Sequence, residues 1–386
     1  MQRVFASYHR TTRIFSRSFR VASSLNQRKE IAFLLDMDGV LLRGSKALPP
    51  AKPALELLNR YNVPFVLLTN GGGITEADRA KKLSSLLDLP ISPLQVVQSH
   101  TPIKALAINN TYERVMVVGG QEDKARKCAL EYGFKEVLMP IDIVKAYPAS
   151  SPYSRYTREE LDKFALDPVE SHLEKPIDAI FVFNDTREAN SDIQLIMDLL
   201  NSQNGVVGTS RVLKEVKDRQ EPSIPIIFSN NDFVWATDYN LPRFGQGALR
   251  IITEALYKEA NQLSSKENLK SILMGKPFAI QYDFAHHVLI DWRDKILLKK
   301  THDTQQYLPP LNTKPEHSPF NNVYMVGDNP ASDITGANIN GWDSLLVRTG
   351  VYKDDDWETA VAHPTCGVHD DILEAVKYVL SYNKVL

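Results

Sequence analysis

Short apolar runs alternate with amphipathic segments along most of this chain. The apolar runs predict buried strands; they lie at residues 31–35, 64–68, 115–118, 177–183, 224–228, 323–326 and 344–347. Apolar residues at i, i+4 and i+7, as at Ala54, Leu58 and Tyr61, predict a helix with one buried face. The same spacing recurs near 193–200, 248–255 and 372–379. Strands that alternate with helices predict an α/β fold with a mainly parallel sheet.

Turn-forming and capping residues add detail to this pattern. Thr75, three residues before Asp78, predicts the capped start of a helix over 77–87. Residues 147–176 and 301–319 each contain four prolines among many polar residues. We therefore interpret these two stretches as loops or insertions.

Composition narrows the class of protein. A length of 386 residues predicts two or three domains. With 43% hydrophobic and 24% charged residues the chain is an ordinary globular protein, and no window approaches the ~20 apolar residues of a membrane span. Two cysteines, Cys128 and Cys366, are too few for a disulfide framework and favour a reducing compartment. A net charge of −2 argues against nucleic-acid binding.

The first 29 residues differ from the remainder. They hold seven basic residues, seven serines or threonines and no acidic residue. That composition predicts a mitochondrial transit peptide, with the mature fold beginning near residue 30. A secretory signal is excluded because the segment lacks a continuous apolar core. The alternative is a disordered basic tail that binds a surface or a nucleic acid.

Two carboxylates follow the first predicted strand. Asp36 and Asp38 are one residue apart and Gly39 follows them, so an extended backbone projects both side chains to one side. Like charges this close need a cation or a shared proton. The alternative is an ordinary turn, since Asp and Gly favour turns.

Three later motifs also follow predicted strands or precede a helix. Thr69-Asn70-Gly71 opens a glycine run that offers a hydroxyl and backbone N–H groups to an anion, although a flexible loop has the same composition. Lys276, between glycine and proline, supplies a fixed positive charge or is merely solvated. Asp328 and Asp333 offer hard carboxylate oxygens that suit Mg²⁺, or serve in a turn and a helix cap.

In this order the four motifs resemble those of the haloacid dehalogenase (HAD) superfamily. The 207 positions between Thr69 and Lys276 resemble class II members, which carry an inserted cap there. The TNGGG, GKP and GDNPASDI segments are similar to the class IIA, NagD-like branch. SPLQVVQSHTPIKAL, RFGQGALR, YDFAHHVLIDW and NNVYMVGDNPASDITGAN resemble the cat-eye-syndrome-critical-region hydrolase family and its fungal mitochondrial members. The resemblance covers roughly residues 30–385.

The resemblance implies a Rossmann-like HAD core plus an inserted α/β C2-type cap domain. The implied division is a transit peptide at 1–29, core at 30–98, cap at 99–244 and core again at 245–386. It also implies a Mg²⁺-dependent phosphatase of the mitochondrial matrix that acts on a small phosphomonoester, with no nucleic-acid partner and no transmembrane segment. A homodimer is a further expectation, because relatives often associate through their caps.

The resemblance also assigns roles. Asp36 would be the nucleophile that forms an aspartyl-phosphate, and Asp38 the general acid and base. Thr69 with the backbone N–H groups of Asn70 and Gly71 would hold phosphoryl oxygens. Lys276 would neutralise charge on the phosphate and on Asp36. The expected Mg²⁺ ligands are Asp36, the Asp38 carbonyl, Asp328 and Asp333, and the expected substrate contacts are Asn231 and Asp232.

Two classes of alternative stay open. Within enzymes, a dehalogenase or a phosphotransferase is the alternative, and the presence of Asp38 argues against the dehalogenase. Outside enzymes, the alternative is a scaffold protein with a vestigial Mg²⁺ site. The substrate also stays open among sugar phosphates, nucleotides, pyridoxal phosphate, phosphoglycolate and glycerophospholipid head-group phosphates, because the cap rather than the fold sets specificity.

Overall fold

A computed structural model describes residues 30–168, 171–300, 308 and 311–386. The predicted transit peptide lies outside the described residues. Among the helices that are described, none is long and apolar enough to cross a bilayer.

The described residues contain fifteen strands and eleven α-helices. The strands are β1 Ile31–Leu35, β2 Leu42–Arg43, β3 Lys46–Ala47, β4 Phe65–Leu68, β5 Val96–Val97, β6 Arg114–Val118, β7 Glu136–Leu138, β8 Ala179–Val182, β9 Ile226–Phe228, β10 Val234–Trp235, β11 Arg243–Phe244, β12 Ile272–Leu273, β13 Asn322–Gly327, β14 Asp343–Val347 and β15 Val368–His369. The helices are α1 Ala51–Arg60, α2 Glu76–Leu87, α3 Lys104–Ile108, α4 Lys124–Tyr132, α5 Pro140–Ala146, α6 Arg158–Phe164, α7 Ala189–Leu200, α8 Gln246–Ala260, α9 Ala279–Leu298, α10 Thr335–Ile339 and α11 Ile372–Tyr382.

One parallel sheet of six strands forms the core of the first lobe. Its order is β15-β14-β13-β1-β4-β5, and Leu35 in β1 pairs with Val326 in β13 and Leu67 in β4. Both faces of the sheet are apolar because helices cover both sides. Helices α1, α2 and α11 contribute to the cluster on one face, and α9 with α10 to the cluster on the other. The predicted α/β fold with a mainly parallel sheet is confirmed.

A second parallel sheet forms a second lobe within the chain. Its order is β12-β9-β8-β6-β7. Helix α8 packs on α7, and its Leu249 and Tyr257 belong to the apolar cluster of this second sheet. The predicted end of the inserted unit at residue 244 therefore comes before α8 and β12, which pack in the second lobe. We propose that the cap extends to about residue 273, because edge strand β12 is the last element of its sheet.

Local capping explains where the sequence pattern succeeded and where it missed a helix. The Thr75 side chain accepts a hydrogen bond from the backbone N–H of Asp78 at 3.0 Å, which confirms the predicted start of α2. The proline-rich stretch 147–176 was interpreted as a loop but contains α6. A capping box between Thr157 and Glu160 begins this helix, and Leu161 packs on the second lobe. The capping box satisfies two backbone N–H groups at the start of α6, and these bonds together with the Leu161 contact stabilise the helix. The helix is too short for its periodicity to be recognised in the sequence.

A buried carboxyl in the second lobe makes stability depend on pH. Burial raises the pKa of Asp192 to about 7, and the side chain accepts a hydrogen bond from the Thr186 hydroxyl. In an unfolded chain the pKa of aspartate is about 3.9, so the folded state binds this proton more tightly. Its contribution is fully present below about pH 4 and is lost as pH rises through about 7.

Replacement of Asp192 by asparagine is therefore expected to stabilise the protein only at high pH. Because Asn keeps an acceptor for Thr186, we expect the free energy of unfolding to rise by about 1–2 kcal/mol at pH 8, with no gain at pH 4. Denaturant unfolding at both pH values measures this, with exposed Asp162→Asn as the control. An equal change at both pH values would show that the proton on Asp192 is not the cause.

Candidate active site

The central strands of the first lobe bring polar residues to one edge of the sheet. Asp36 follows β1, Thr69 follows β4, and Asp328 follows β13. These three strands are adjacent and parallel, so their carboxyl ends meet. Ligand sites of parallel α/β sheets lie at this edge. The side chains of Asp36, Thr69 and Asp328 are all buried.

Three carboxylates converge there around one ammonium group. Oxygens of Asp36, Asp328 and Asp333 lie within 4.8 Å of one another. Lys276 Nζ donates to Asp36 Oδ1 and to Asp333 Oδ1, both at 2.6 Å. The Lys276 side chain is 1% exposed, so the alternative of a solvated lysine is wrong. Lys276, in the third motif, therefore contacts an aspartate of the first motif and an aspartate of the fourth.

Burial and repulsion shift the pKa values within this carboxylate cluster. Burial raises the pKa of Asp36 well above its ordinary value, and Lys276 opposes that rise. Burial and the charge of Asp333 raise the pKa of Asp328 to about 8. Burial alone would lower the pKa of Lys276, but Asp333 and Asp36 raise it. Because one ammonium cannot balance three ionised carboxylates, their mutual repulsion adds to the effect of burial on the pKa values of Asp36 and Asp328.

A divalent cation fits this charge and this spacing. Mg²⁺ binds carboxylate oxygens at about 2.0–2.1 Å in an octahedron, and oxygens within 4.8 Å of one another can share it. Asp333 has little coordinating capacity left, because Oδ1 accepts from Lys276 and Oδ2 accepts from the Asn329 N–H at 3.1 Å. Asp328 Oδ2 accepts from the Val351 N–H at 2.7 Å. The free oxygens therefore belong chiefly to Asp36 and Asp328.

The backbone of Lys276 is held by a side chain from the second motif. Asn70 Oδ1 accepts from the Lys276 N–H at 2.8 Å, and Asn70 Nδ2 donates to the Lys276 carbonyl at 3.1 Å. Gly275 allows this approach: its φ is +77°, and a Cβ there would lie 2.8 Å from Asn70 Oδ1. Asn70 thus fixes the lysine through side-chain contacts, a role that the sequence did not reveal.

The glycine run after β4 forms part of the cavity wall. Gly71 N–H donates to Thr69 Oγ1 at 2.9 Å, so this N–H is already engaged. The Thr69 hydroxyl still has its proton to donate. Of the donors predicted here for phosphoryl oxygens, the structure favours Thr69 over Gly71.

A chain of buried hydrogen bonds also holds this glycine run in place. Gly73 N–H donates to His100 Nε2 at 2.8 Å, and His100 Nδ1 lies 2.7 Å from the Tyr132 hydroxyl. Burial lowers the pKa of His100 to about 4, so the ring is neutral and Nδ1 carries its proton. The Tyr132 hydroxyl in turn donates to Glu76, which pairs with Lys104 at 3.1 Å. This chain of hydrogen bonds links the glycine run to helices of both lobes.

Asp38 lies apart from the three clustered carboxylates. It is partly exposed and lines the cavity. Burial raises the pKa of Asp38, and the charges of Arg79, Lys276 and Lys82 oppose the rise. A carboxyl with a raised pKa that faces a cavity can donate a proton to a departing group.

The loop after β9 reaches the site from the second lobe. Asp232 lines the cavity and accepts from Asn70 Nδ2 at 3.0 Å. Burial raises the pKa of Asp232 to about 6. Asn230 Oδ1 accepts from the Asp232 N–H at 2.7 Å, and this turn places Asn230 in the cavity wall. Asn231, predicted to contact substrate, is not among the described residues of that wall, whereas Asn230 is; substrate contact by Asn231 stays a prediction.

A cavity of about 540 Å³ lies over these groups, between the two lobes. Its wall includes residues that sequence reasoning missed: Arg79, Lys82, Lys124, Asn184, Arg187 and Trp235. None follows a motif at a fixed spacing. They come from α2, from the second lobe and from the β10–β11 hairpin, and only the packing of those elements brings them together.

Two family models match the chain. The model described as haloacid dehalogenase-like hydrolase matches residues 33–135, and the HAD-hydrolase-like model matches residues 273–375. The segment between the matches contains most of the second lobe. The two matches therefore cover both parts of the first lobe.

Three known proteins are similar to this chain over most of its length. A mitochondrial hydrolase of Saccharomyces cerevisiae is 46% identical over 352 residues, which cover 91% of this chain and 96% of that protein. A cardiolipin synthase (CMP-forming)/mitochondrial hydrolase fusion protein of Schizosaccharomyces pombe is 36% identical; the match covers 98% of this chain and 58% of the fusion protein. The crystal structure of a possible sugar phosphatase from Cytophaga hutchinsonii superposes with a TM-score of 0.57 at 17% identity, over 91% of this chain and 96% of that one.

Proposed function

Because this chain belongs to the haloacid dehalogenase-like hydrolases, we propose that it is a Mg²⁺-dependent phosphatase. Its substrate would be a small phosphomonoester, hydrolysed through an aspartyl-phosphate. The predicted family and the prediction of a hydrolase are confirmed. The observation that carries the proposal is buried Asp36, held by Lys276 beside Asp328 and opening onto a cavity that Asp38 also lines.

The charge balance supports the role of Asp36 as nucleophile. Although burial raises its pKa, the 2.6 Å contact with Lys276 favours the ionised form. Mg²⁺ at Asp36 and Asp328 would supply charge neutralisation for the transferring phosphoryl group. Asp36 then attacks phosphorus, and the bond from phosphorus to the leaving oxygen breaks.

The other polar groups act around this step. Asp38 gives a proton to the leaving alcohol and then takes one from the water that hydrolyses the acyl-phosphate. The Thr69 hydroxyl donates to a phosphoryl oxygen. Asp333 uses both its oxygens to orient Lys276 and the Asn329 backbone. Asp232, from the second lobe, closes the cavity over the leaving group, as does its neighbour Asn230.

The similar proteins support a location and a second candidate substrate. We propose a mitochondrial location, and within it the matrix, because the first 29 residues have transit-peptide composition and two relatives are named mitochondrial hydrolases. The fusion of one relative to a cardiolipin synthase favours a glycerophospholipid-related phosphate as the second candidate. A homodimer stays a prediction.

Metal removal tests the proposal. We expect EDTA to lower phosphate release from a panel of phosphomonoesters by at least about 100-fold, because the metal supplies several kcal/mol of charge stabilisation. Added Mg²⁺ should restore the activity. Asp328→Asn should raise the Mg²⁺ concentration needed for half-maximal activity, whereas exposed Asp355→Asn should not.

Two results would contradict this assignment. Phosphate release that is indifferent to EDTA would remove Mg²⁺ from the mechanism. Silence across the whole panel, with Mg²⁺ still bound, would favour the alternative of a non-catalytic scaffold.

A further inference from the structure

Helix α2 presents two cations to the cavity. Arg79 and Lys82 are three residues apart and therefore share one helix face, and both line the cavity wall. Among the described residues, Lys82 has no hydrogen-bond or ion-pair partner, which leaves its ammonium available to a ligand. Neither residue belongs to the four motifs that predicted the phosphoryl site.

Arg79 is fixed in place by its neighbours. Its Nε donates to Gln98 Oε1 at 3.0 Å, and its Nη2 donates to the Gly72 carbonyl at 3.1 Å. Both acceptors are neutral, so the guanidinium has no carboxylate in contact to balance its charge. A guanidinium held this way keeps further N–H donors and is pre-organised for a carboxylate or a phosphate.

The position of these cations relates them to the leaving group. A Cβ placed on Gly71 would lie 3.9 Å from Arg79 Nη2 and 3.5 Å from Asp38 Oδ2, so the two side chains flank the same point of the glycine run. The positive charges of Arg79 and Lys82 both lower the pKa of Asp38. Because Asp38 serves the leaving oxygen in the proposed mechanism, the cations lie on the side where the alcohol departs.

The second lobe adds positive charge across the cavity. Lys124, at the start of α4, lines the wall; within the described part of the chain it forms an ion pair with Glu122 alone, at 3.0 Å, and both side chains are more than 40% exposed. Exposed pairs of this kind are weak. Besides Asp38 and Asp232, the acids Asp78 and Asp185 line the wall; burial raises the pKa of Asp185, and the charge of Arg187 opposes the rise.

We propose that Arg79 and Lys82, with Lys124, form a subsite for a second anionic group on the leaving alcohol of the substrate. This rests on the proposed phosphatase function and deepens it. The preferred substrate is then a phosphomonoester whose alcohol also carries a carboxylate or a phosphodiester. A phosphomonoester with a neutral alcohol fills the phosphoryl site and leaves these cations unpaired.

Three phosphomonoesters with different alcohols distinguish these chemistries. Glycerol 3-phosphate has a neutral alcohol, 3-phosphoglycerate carries a carboxylate, and glycerophosphoglycerol phosphate carries a phosphodiester. For the last two, we expect Lys82→Ala to lower kcat/KM by about tenfold or more, as for the loss of one charge-assisted hydrogen bond. For glycerol 3-phosphate, kcat/KM should fall by no more than about twofold. The larger decrease for the two anionic substrates should come mainly from a higher KM rather than from a lower kcat.

Neighbouring lysines on the same helices are matched controls. Lys81 is exposed on α2 and does not line the cavity, so Lys81→Ala should change no substrate preference. Lys127→Ala is the equivalent control for Lys124→Ala on α4. Whichever of the two anionic substrates loses more with Lys82→Ala identifies the source of the second anion.

Binding to an inactive variant separates this inference from the proposed function. In Asp36→Asn protein, calorimetry with Mg²⁺ should show at least about tenfold tighter binding of a doubly anionic ligand than of glycerol 3-phosphate, and Lys82→Ala should remove the difference. Equal affinities, or an equal loss for every substrate, would overturn the subsite whether or not the wild type hydrolyses anything. Absence of turnover with the binding preference intact would overturn the phosphatase and keep the subsite.

Discussion

Asp36→Asn is expected to lower phosphate release by about 10⁴-fold or more while the fold is retained, since loss of a nucleophile removes the covalent step. Asparagine has nearly the same shape, and its Oδ1 can still accept from Lys276 Nζ, which lies 2.6 Å from the carboxylate. The change also removes one of three crowded negative charges. We therefore expect the folded state to lose little stability.

Two measurements on Asp36→Asn separate chemistry from folding. Phosphate release with the best substrate and Mg²⁺ gives the activity, and the thermal midpoint gives the stability. Asp355→Asn, in an exposed 3₁₀ helix, is the matched control for loss of an aspartate charge. Retained hydrolysis by Asp36→Asn would contradict the aspartyl-phosphate mechanism. If activity is lost and the thermal midpoint also falls strongly, the loss reflects unfolding, and Asp36→Glu becomes the test of the nucleophile.

Lys276→Met is expected to impair both stability and activity. The substitution leaves the buried carboxylates of Asp36 and Asp333 without their 2.6 Å partner. Removal of one member of a buried ion pair costs about 3–5 kcal/mol, so we expect a loss of that order in the free energy of unfolding without Mg²⁺. Hydrolysis should fall by about 10³-fold, because one preorganised charge at the reacting group is lost.

A second substitution distinguishes the two effects of Lys276→Met. Adding Asp333→Asn removes one uncompensated charge, so we expect the double variant to regain part of the stability but none of the activity. Exposed Lys81→Met is the control for loss of a lysine charge on the surface. Full activity in Lys276→Met would show that the ammonium is not needed for phosphoryl transfer.

The chemistry of the candidate site was predictable because it depends on strand ends. Asp36, Thr69 and Asp328 each follow a buried apolar run, and parallel strands align their carboxyl ends. Lys276 was recognisable only as a charge between glycine and proline. Its backbone is held by Asn70, which lies 206 positions earlier in the chain. No local pattern encodes a contact over that separation.

The extent of the inserted lobe was less predictable than its presence. Periodicity correctly placed a helix near 248–255, but it could not show which sheet that helix covers. Leu249 and Tyr257 belong to the apolar cluster of the second sheet, which supports the proposal that the cap extends beyond residue 244. The short strand Ile272–Leu273 then joins that sheet beside β9, although two residues give no detectable alternation.

Strand and helix periods and strand-end motifs are local properties, so the α/β class, the order of the main elements and the candidate carboxylates and lysine could be recognised in the amino-acid sequence. The folded chain was needed to show which N–H groups are already bonded, that Asn230 lines the cavity, and that Arg79 and Lys82 line the same cavity as Asp38. Those relations depend on how helices and loops from two lobes pack around one cavity, and packing brings together residues that no spacing along the chain relates.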